Sequence, residues 1–262
     1  MSRLKKKIND KIIKTIAGMI IPAVLLLLWH LNAEYNWWQS VFFPSPEKIP
    51  VALYDMIYSQ NFSDDFCLSL GTVIKGFLLG GSLGFVIAVL TGTSKIIEKL
   101  FVPLLNILRQ IPPLALYPFF MLLAGIGMLA KVSIISYSVF FPVFLNTYQG
   151  IKLVPKEYIE VAQVFEFSRL RLLKSVILPA TLPGIFVGVR YGAGFSWALI
   201  VAAEMMGGAK GLGYLLIRAQ ELLMIDQLFA VLFVIGAIGF FIDSGLRFIE
   251  RKVLRWKREV SN

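Results

Sequence analysis

The sequence predicts an all-α integral membrane protein that crosses the bilayer six times, and three observations support this fold class. Hydrophobic residues make up 57% of the 262 residues, more than soluble domains usually contain, and the mean hydropathy is +0.74. Six apolar segments approach the roughly 17 to 20 residues that a helix needs to cross a membrane. Lys and Arg cluster at the ends of these segments, as they do beside membrane spans.

Each predicted span is an apolar run bounded by charged or turn-forming residues, and some reach the required length only when their flanks are counted. The third span is the weakest, because Pro112 and Pro113 interrupt its start while Gly125 and Gly127 loosen its end. The six spans are residues 15–31, 72–92, 114–129, 132–149, 182–206 and 228–246. They form a membrane domain of residues 15–247 between two basic tails, residues 1–14 and 248–262.

The distribution of Lys and Arg predicts the orientation of the spans, because short cytoplasmic loops retain these residues. They concentrate in the two tails, in residues 152–174, and between spans two and three, where Lys95, Lys99 and Arg109 lie. The loops on the opposite side hold few cations and collect acids. Both termini and these basic segments are therefore expected in the cytoplasm.

Composition and motifs exclude several function classes. The net charge of +10 does not indicate nucleic-acid binding, because the cations sit at span ends and form no stripe interleaved with stacking aromatics. Cys67 and His30 are the only residues of their types, which excludes an internal disulfide and a metal-ligand cluster, so no metal or cofactor is expected. The chain has no GxxxxGK[ST] phosphate loop and no nucleophile–base constellation, so it is expected not to be an enzyme.

Two spans carry small residues at every fourth position, which places them on one helix face. Such stripes allow helix backbones to approach closely in a membrane. They have two possible roles: packing inside one bundle, or contact with a second subunit or a moving gate. The stripes are Gly76, Gly80, Gly84, Ala88 and Gly92 in span two, and Gly184, Gly188, Gly192 and Ser196 in span five.

A charged stretch between spans four and five, residues 156–175, predicts two short amphipathic helices that meet at a turn near Glu166. Ser168 is a good N-cap for the second helix, and Pro179 and Pro183 are expected to end it before span five. Isolated helices this short are marginal in water, so their apolar faces should be buried on something. Periodicity alone leaves open whether that is the bundle's own end, the lipid headgroups or another protein.

The same stretch resembles the EAA loop of permease subunits of ABC importers, written EAA, three residues, G, nine residues, I-x-L-P. The residues that carry this resemblance are Glu160-Val161-Ala162, Ser168, Ile177-Leu178-Pro179 and Leu182-Pro183-Gly184. Further stretches are similar to the nitrate, sulfonate and taurine branch of that family, and the resemblance runs from about residue 44 to 256. These stretches are 44–46 (PSP), 110–115 (QIPPLA), 141–147 (FPVFLNT), 202–205 (AAEM) and 211–215 (GLGYL).

The resemblance implies the six-span bundle of type I ABC importer permeases in a bacterial inner membrane, with cytoplasmic coupling helices. It also implies three partners, namely cytoplasmic ATP-binding subunits, an extracytoplasmic solute-binding protein and a second permease copy, expected to be identical. In the family the acidic residue that Glu160 matches typically pairs with a basic group of the ATPase. The expected coupling residues are Glu160, Val161, Ala162, Glu166, Ser168, Arg169, Leu178 and Pro179.

Two positions depart from the family motif. Val161 replaces the first alanine and keeps a small apolar side chain. Glu166 replaces the turn glycine, and a residue other than glycine in a left-handed turn costs roughly 1 kcal/mol. We expect Glu166 still to turn the chain, either with strain or through a different turn.

Charged residues inside spans are costly and are therefore candidates for the pathway. Arg190 suits the passage of an anion by Coulomb attraction, or it is a partner of a buried acid or of helix carbonyls. Glu204 and Asp243 lie near span ends, where they either touch the solute or meet interfacial cations. Pro112 and Pro113 complete the set of pathway candidates.

The expected function is therefore the pathway subunit of an ATP-driven importer for a small anionic solute of the sulfonate, taurine or nitrate type. The same machinery could import a vitamin precursor such as a thiamine pyrimidine or riboflavin. A secondary transporter driven by an ion gradient would show internal repeats and intramembrane acids, and neither stands out here. A scaffolding subunit, in which the glycine stripes and prolines serve packing alone, is the remaining alternative.

Overall fold

The computed structural model describes residues 2–35, 37, 43–59 and 62–255, with side chains excluded for residues 2–17, 19 and 59. Residues 256–262 of the predicted C-terminal tail lie outside this description. Eleven α-helices occupy the described ranges. They are α1 Ser2–Tyr35, α2 Lys48–Ser59, α3 Phe62–Thr93, α4 Lys95–Leu108, α5 Tyr117–Ala124, α6 Met128–Lys152, α7 Lys156–Val164, α8 Arg169–Leu172, α9 Leu178–Gly207, α10 Leu212–Glu221 and α11 Ile225–Val253.

The chain divides into two compact units. The first comprises Met1–Phe62 and Leu216–Phe233, and the second comprises Ser63–Leu215 and Val234–Asn262. In the described part of the first unit, the Trp29 indole donates a 2.9 Å hydrogen bond to the carbonyl of Pro44. His30 also contacts the Glu47 carboxylate at 2.7 Å. All the candidate site residues lie in the second unit.

Four helical segments of the described chain are long and apolar enough to cross a membrane. They are Phe62–Thr93, Met128–Lys152, Arg169–Gly207 and Ile225–Val253. A fifth is obtained if the two helices Lys95–Leu108 and Pro113–Ala124 are taken as one broken span, bent by 87°. The apolar part of α1, Ile20–Tyr35, is shorter.

The third predicted span, residues 114–129, is not a single helix in the structure. Its residues belong to a 3₁₀ turn, Pro113–Leu116, to the eight residues of α5, which Gly125 caps with φ 76°, and to the start of α6 at Met128. The apolar helix α4 precedes it in a segment expected to be a loop. Pro112 separates the two with an extended backbone, because a proline in a helix interior clashes with the preceding turn and lacks an N–H.

Helix α6 lies between α3 and α9, and the two glycine stripes face it. A side-chain carbon added at Gly80 would lie 2.1 Å from the carbonyl oxygen of Ser136, and one added at Gly188 would lie 2.7 Å from that of Pro142. The Ser136 hydroxyl also donates to the carbonyl of Gly76, at 3.1 Å. The stripes therefore serve close backbone packing inside one chain.

The prolines after the coupling segment do not end its second helix, contrary to the prediction. Helix α8 continues through a π-helical turn, Leu173–Ile177, directly into α9. Pro179 lies in the first turn of α9, and Pro183 lies inside it. A wider turn tolerates the missing N–H of Pro179, since Leu178 donates to Leu173 five residues back rather than four.

Candidate functional site

The two helices of the coupling segment meet at a Schellman turn built around Glu166. The N–H of Phe167 donates to the carbonyl of Ala162 at 3.0 Å, and the N–H of Glu166 donates to that of Gln163 at 2.9 Å. This pair of hydrogen bonds defines the motif, which requires a left-handed residue at the position after the cap. Glu166 holds that position with φ 55°. The turn that the family motif makes with glycine is thus kept here with strain.

The start of the second helix is capped as its sequence predicts. The Ser168 hydroxyl accepts a hydrogen bond from the N–H of Arg171 at 3.4 Å. The guanidinium of Arg171 lies over the ring of Phe167, 4.2 Å from its centroid. These contacts stabilise the angle between α7 and α8, because each ties the turn to the first turn of α8.

Most of the apolar side chains on α7 are not covered by the described chain. Ala162 is buried, and Ile159 packs against a small core of Ile151, Val154 and Ile177. Val164 and Phe165 are 81% and 69% exposed, and Tyr158 and Val161 are also exposed. Glu160 is exposed on the same helix and forms no ion pair within the described residues. The segment therefore presents an uncovered apolar surface with an acid beside it.

Glu204 lies at the opposite end of α9 from this segment, fully buried in a polar cluster. Its carboxylate accepts hydrogen bonds from the Ser69 hydroxyl at 2.9 Å and from the N–H of Gly213 at 3.0 Å. The ammonium of Lys131 lies 3.7 Å from the same carboxylate, and both side chains are almost completely buried. Desolvation of two charges is costly, and the hydrogen bonds around Glu204 offset it.

The glycines that follow Glu204 make room for this cluster. A side-chain carbon at Gly211 would lie 2.3 Å from a Glu204 carboxylate oxygen, and the residue has φ 113°, which strongly favours glycine. Its N–H donates to Asp65 at 2.7 Å. The N–H of Leu212 donates to the Ser69 hydroxyl at 3.0 Å. The GLGYL stretch, residues 211–215, therefore packs closely around the buried carboxylate of Glu204.

Arg190, the first pathway candidate, is already paired with two acids of α11. Its guanidinium donates to Asp243 at 3.2 Å and to Glu250 at 3.1 Å. Arg247 contacts the other oxygen of Asp243. The side chains of Arg190 and Asp243 remain 30% and 40% exposed. This arrangement favours the role of Arg190 as a partner of helix acids over that of an anion contact.

A cavity of about 470 Å³ lies at the bend between α4 and α5. Pro112 and Pro113 line it, and so does Arg109, the C-terminal cap of α4. Apolar side chains of α6 and α9 complete its wall, among them Phe141 and Phe195. Pro112 and Pro113, both predicted pathway residues, thus line the same cavity as Arg109, which the sequence predicts in a cytoplasmic loop.

Comparison with known proteins decides the family. Residues 66–255 match the family described as binding-protein-dependent transport system inner membrane component. The chain belongs to this family. It is a permease subunit of an ABC importer, embedded in the inner membrane, as the resemblance in the EAA loop implied.

Two relatives match nearly the whole permease. A Bacillus subtilis protein named as an aliphatic sulfonates transport permease, SsuC, is 34% identical over 254 residues, covering 97% of this chain and 92% of that one. The taurine transport system permease protein TauC of Escherichia coli is 32% identical over 243 residues, covering 91% of this chain and 88% of its own. Both relatives are transport permeases by name.

Solved structures confirm the fold of the permease. A chain of the MetNI methionine ABC transporter in inward-facing conformations superposes with a TM-score of 0.63 at 18% identity, over 71% of this chain and 93% of that one. A chain of an amino acid ABC transporter crystallised with histidines gives 0.62 at 19% identity, over 76% and 97%. At such identity the similarity shows the fold alone.

The structure brings together residues of the permease that sequence reasoning treated separately. Lys131 lies between the third and fourth predicted spans, yet it contacts Glu204 in the buried cluster. Arg109 was assigned to a cytoplasmic loop, yet it faces the cavity lined by Pro112 and Pro113. The sequence held a signal for Arg109, because the residues before it, 96–108, are mostly apolar and are consistent with a helix.

Proposed function

We propose that this permease forms the membrane pathway for a small anionic solute of the sulfonate or taurine type. The observation that carries the proposal is the similarity, over at least nine-tenths of the chain, to permeases named for aliphatic sulfonates and taurine. An extracytoplasmic binding protein delivers the solute, and separate cytoplasmic subunits hydrolyse ATP. The permease contributes the pathway and transmits the movement.

Coupling to the ATPase takes place at residues 156–175. The exposed apolar side chains of α7 and its C-terminal cap, Val161 and Phe165 among them, supply area that a protein groove would bury. Glu160 adds an acid that pairs with a basic group of the ATPase and sets register and specificity. Because α8 runs without interruption into α9, movement of the segment is carried directly into a membrane-spanning helix.

The coupling segment and both termini face the cytoplasm in this proposal. Glu98 near the start of α4 pairs with Lys152 at the end of α6, at 2.6 Å, so the basic ends of these two helices lie at one membrane face. This is the face that carries residues 156–175. Glu204 and its cluster then lie toward the outside, where the binding protein docks. Two identical copies form the permease pair.

The orientation can be tested by cysteine labelling, because Cys67 is the sole cysteine. In a Cys67→Ser background, single cysteines at Glu157 and at Glu221 are exposed to a membrane-impermeant maleimide in intact cells. We expect Glu221→Cys to react and Glu157→Cys to react only after the membrane is opened. The reverse pattern would refute the proposed orientation.

The coupling role is tested by co-purification of the ATPase subunit with tagged permease. Glu160→Lys should abolish co-purification and solute uptake, because it replaces an attraction with a repulsion at the interface. The matched control is Glu221→Lys, which reverses an exposed acid on α10, outside the coupling segment. Retention of the ATPase by Glu160→Lys would refute the coupling role.

The solute class is tested by uptake in proteoliposomes that contain the complete importer and its binding protein. We expect ATP-dependent uptake of taurine or of a linear alkanesulfonate. If the importer instead accumulates a neutral or cationic vitamin precursor and neither sulfonate, the proposed solute class is wrong while the importer function stands.

A further inference from the structure

The cavity at the bend between α4 and α5 is lined by a positively charged residue, Arg109, whose role the family assignment does not explain. Of the described residues that line it, Arg109 is the only charged one, and most of the others are apolar. Its volume of about 470 Å³ falls within the range usual for small-molecule sites. We call this space the bend cavity, lined by Arg109, Pro112, Pro113, Tyr137, Phe195 and Ala198 among others.

Arg109 has no partner acid among the described residues, in contrast to Arg190 and Lys131. Arg190 pairs with Asp243 and Glu250, and Lys131 pairs with Glu204. In the ranges that the structure describes, no carboxylate forms an ion pair with Arg109. Arg109 is exposed, so its guanidinium is accessible to an anion that enters the cavity.

The hydroxyl groups that line the bend cavity are already used as donors. Tyr137 donates to the carbonyl of Leu108 at 2.5 Å, and Ser138 donates to that of Ile135 at 3.1 Å. An anion needs hydrogen-bond donors, and the guanidinium of Arg109 has five N–H groups in a planar fork that suits two oxygens of one oxyanion. Arg109 is therefore the group in this cavity equipped to bind an anionic head group.

The position of Arg109 in the chain explains why its charge reaches the cavity. It caps the C-terminus of α4, and its own N–H donates to the carbonyl of Leu105. The following residues cannot continue the helix because of Pro112 and Pro113, so the chain turns by 87°. A cation at a helix C-terminus is favoured by the helix dipole, which offsets part of the cost of holding it there.

We propose that Arg109 binds the negatively charged head group of the solute in the bend cavity, while the apolar wall packs against its short carbon chain. This inference rests on the proposed function, since it assigns the anion selectivity of the pathway to one residue. It gives Arg109 the role of anion contact in the pathway, which the sequence suggests for Arg190. The class of solute is a small organic sulfonate or a similar oxyanion.

The experiment uses the complete importer with its binding protein in proteoliposomes, with radiolabelled taurine and ethanesulfonate as probes. Uptake by Arg109→Gln should fall about tenfold or more, because a hydrogen-bonded charge contributes on this scale to binding, whereas Arg109→Lys should keep much of the uptake. ATP hydrolysis stimulated by the binding protein should stay near the wild-type rate. Arg251→Gln, which neutralises an exposed arginine near the end of α11, is the matched control.

A second pair of variants keeps Arg109 intact and so does not depend on the folding of Arg109→Gln. Ala198 is exposed to the bend cavity, and Glu and Gln at this position have nearly the same size. Ala198→Glu should lower uptake of ethanesulfonate at least several-fold more than Ala198→Gln, because a carboxylate there neutralises Arg109 and repels the sulfonate group.

The outcomes separate the two levels of the proposal. If the wild type takes up sulfonates, either of two results would overturn the role of Arg109 and leave the proposed function standing. The first is wild-type uptake by Arg109→Gln, and the second is equal effects of Ala198→Glu and Ala198→Gln. If the wild-type importer takes up neither sulfonate, both the role of Arg109 and the proposed function are overturned. Loss of uptake in Arg109→Gln with coupled ATP hydrolysis preserved supports the inference.

Discussion

The carboxylate of Glu204 accepts a 3.0 Å hydrogen bond from the backbone N–H of Gly213, and this contact ties the end of α9 to the start of α10. The same carboxylate contacts Ser69 of α3 and Lys131 of α6. Four helices thus converge on one buried acid. The cluster explains how the AAEM and GLGYL stretches of this chain fit together, since glycines in the second make room for the acid of the first.

Removal of the Glu204 charge should destabilise the permease strongly. Glu204→Gln leaves Lys131 buried without a counter-ion, and breaking a buried pair in this way costs about 3 to 5 kcal/mol. Thermal unfolding in detergent should show a clear drop in melting temperature for Glu204→Gln and for Lys131→Met. The double variant should lose less than the sum of the two, because it leaves no unpaired charge. Additive losses would contradict the pairing.

Two adjacent glycines of α3 provide a matched test of the packing between α3 and α6. Gly80→Ala should destabilise by about 1 to 3 kcal/mol, because its methyl group would overlap the Ser136 carbonyl oxygen at 2.1 Å. Gly81→Ala should be neutral or stabilising, since its methyl group would lie 3.7 Å from Val139 and alanine favours a helix. Melting temperatures in the same detergent rank the two variants. Equal effects would contradict the assigned packing face.

The strained turn at Glu166 predicts that the coupling segment is more stable with glycine at this position than with alanine. Glu166→Gly should make the left-handed position easier by about 1 kcal/mol relative to Glu166→Ala, because glycine adopts positive φ without steric cost. Proteolysis of the segment and the melting temperature both report this difference. If both variants weakened ATPase docking markedly and equally, the Glu166 side chain would have a role of its own in coupling.

Arg190→Gln should leave the solute selectivity of the importer unchanged. The guanidinium is paired with Asp243 and Glu250, and these groups are partly exposed, so the ion pairs contribute on the order of 1 kcal/mol to stability. The expected result is a small decrease in melting temperature with competition between taurine and ethanesulfonate as in the wild type. A changed preference between taurine and ethanesulfonate would indicate that Arg190 contacts the solute in the pathway.

Much of the fold could be predicted from the sequence, because hydrophobic runs and helical periodicity are local properties of the chain. The prediction of an all-helical importer permease is confirmed by the family match and by the solved structures. The Ser168 cap also followed from local residue types. Local patterns were less informative at the prolines, where Pro179 was expected to end a helix that continues through a π turn.

Long-range partners could not be predicted, because they depend on how helices pack and not on spacing along one helix. Ser69 and Glu204 are 135 residues apart in the chain, and Arg190 and Asp243 are 53 apart. Neither pair has a sequence signature. Arg109 was assigned to a loop because it precedes the third predicted span, whereas in the structure Pro112 and Pro113 lie at a bend between two apolar helices.

By itself, the sequence determined that this protein lies in a membrane, which family it belongs to, and which segment carries the EAA motif, since apolar length and motif order are written in consecutive residues. Only the tertiary structure decided that the glycine stripes face α6, that Arg190 is paired, and that Arg109 faces a cavity without a counter-ion. The physical reason is that the energy of a charge inside a membrane is set by the groups folding brings around it, and those groups come from distant helices.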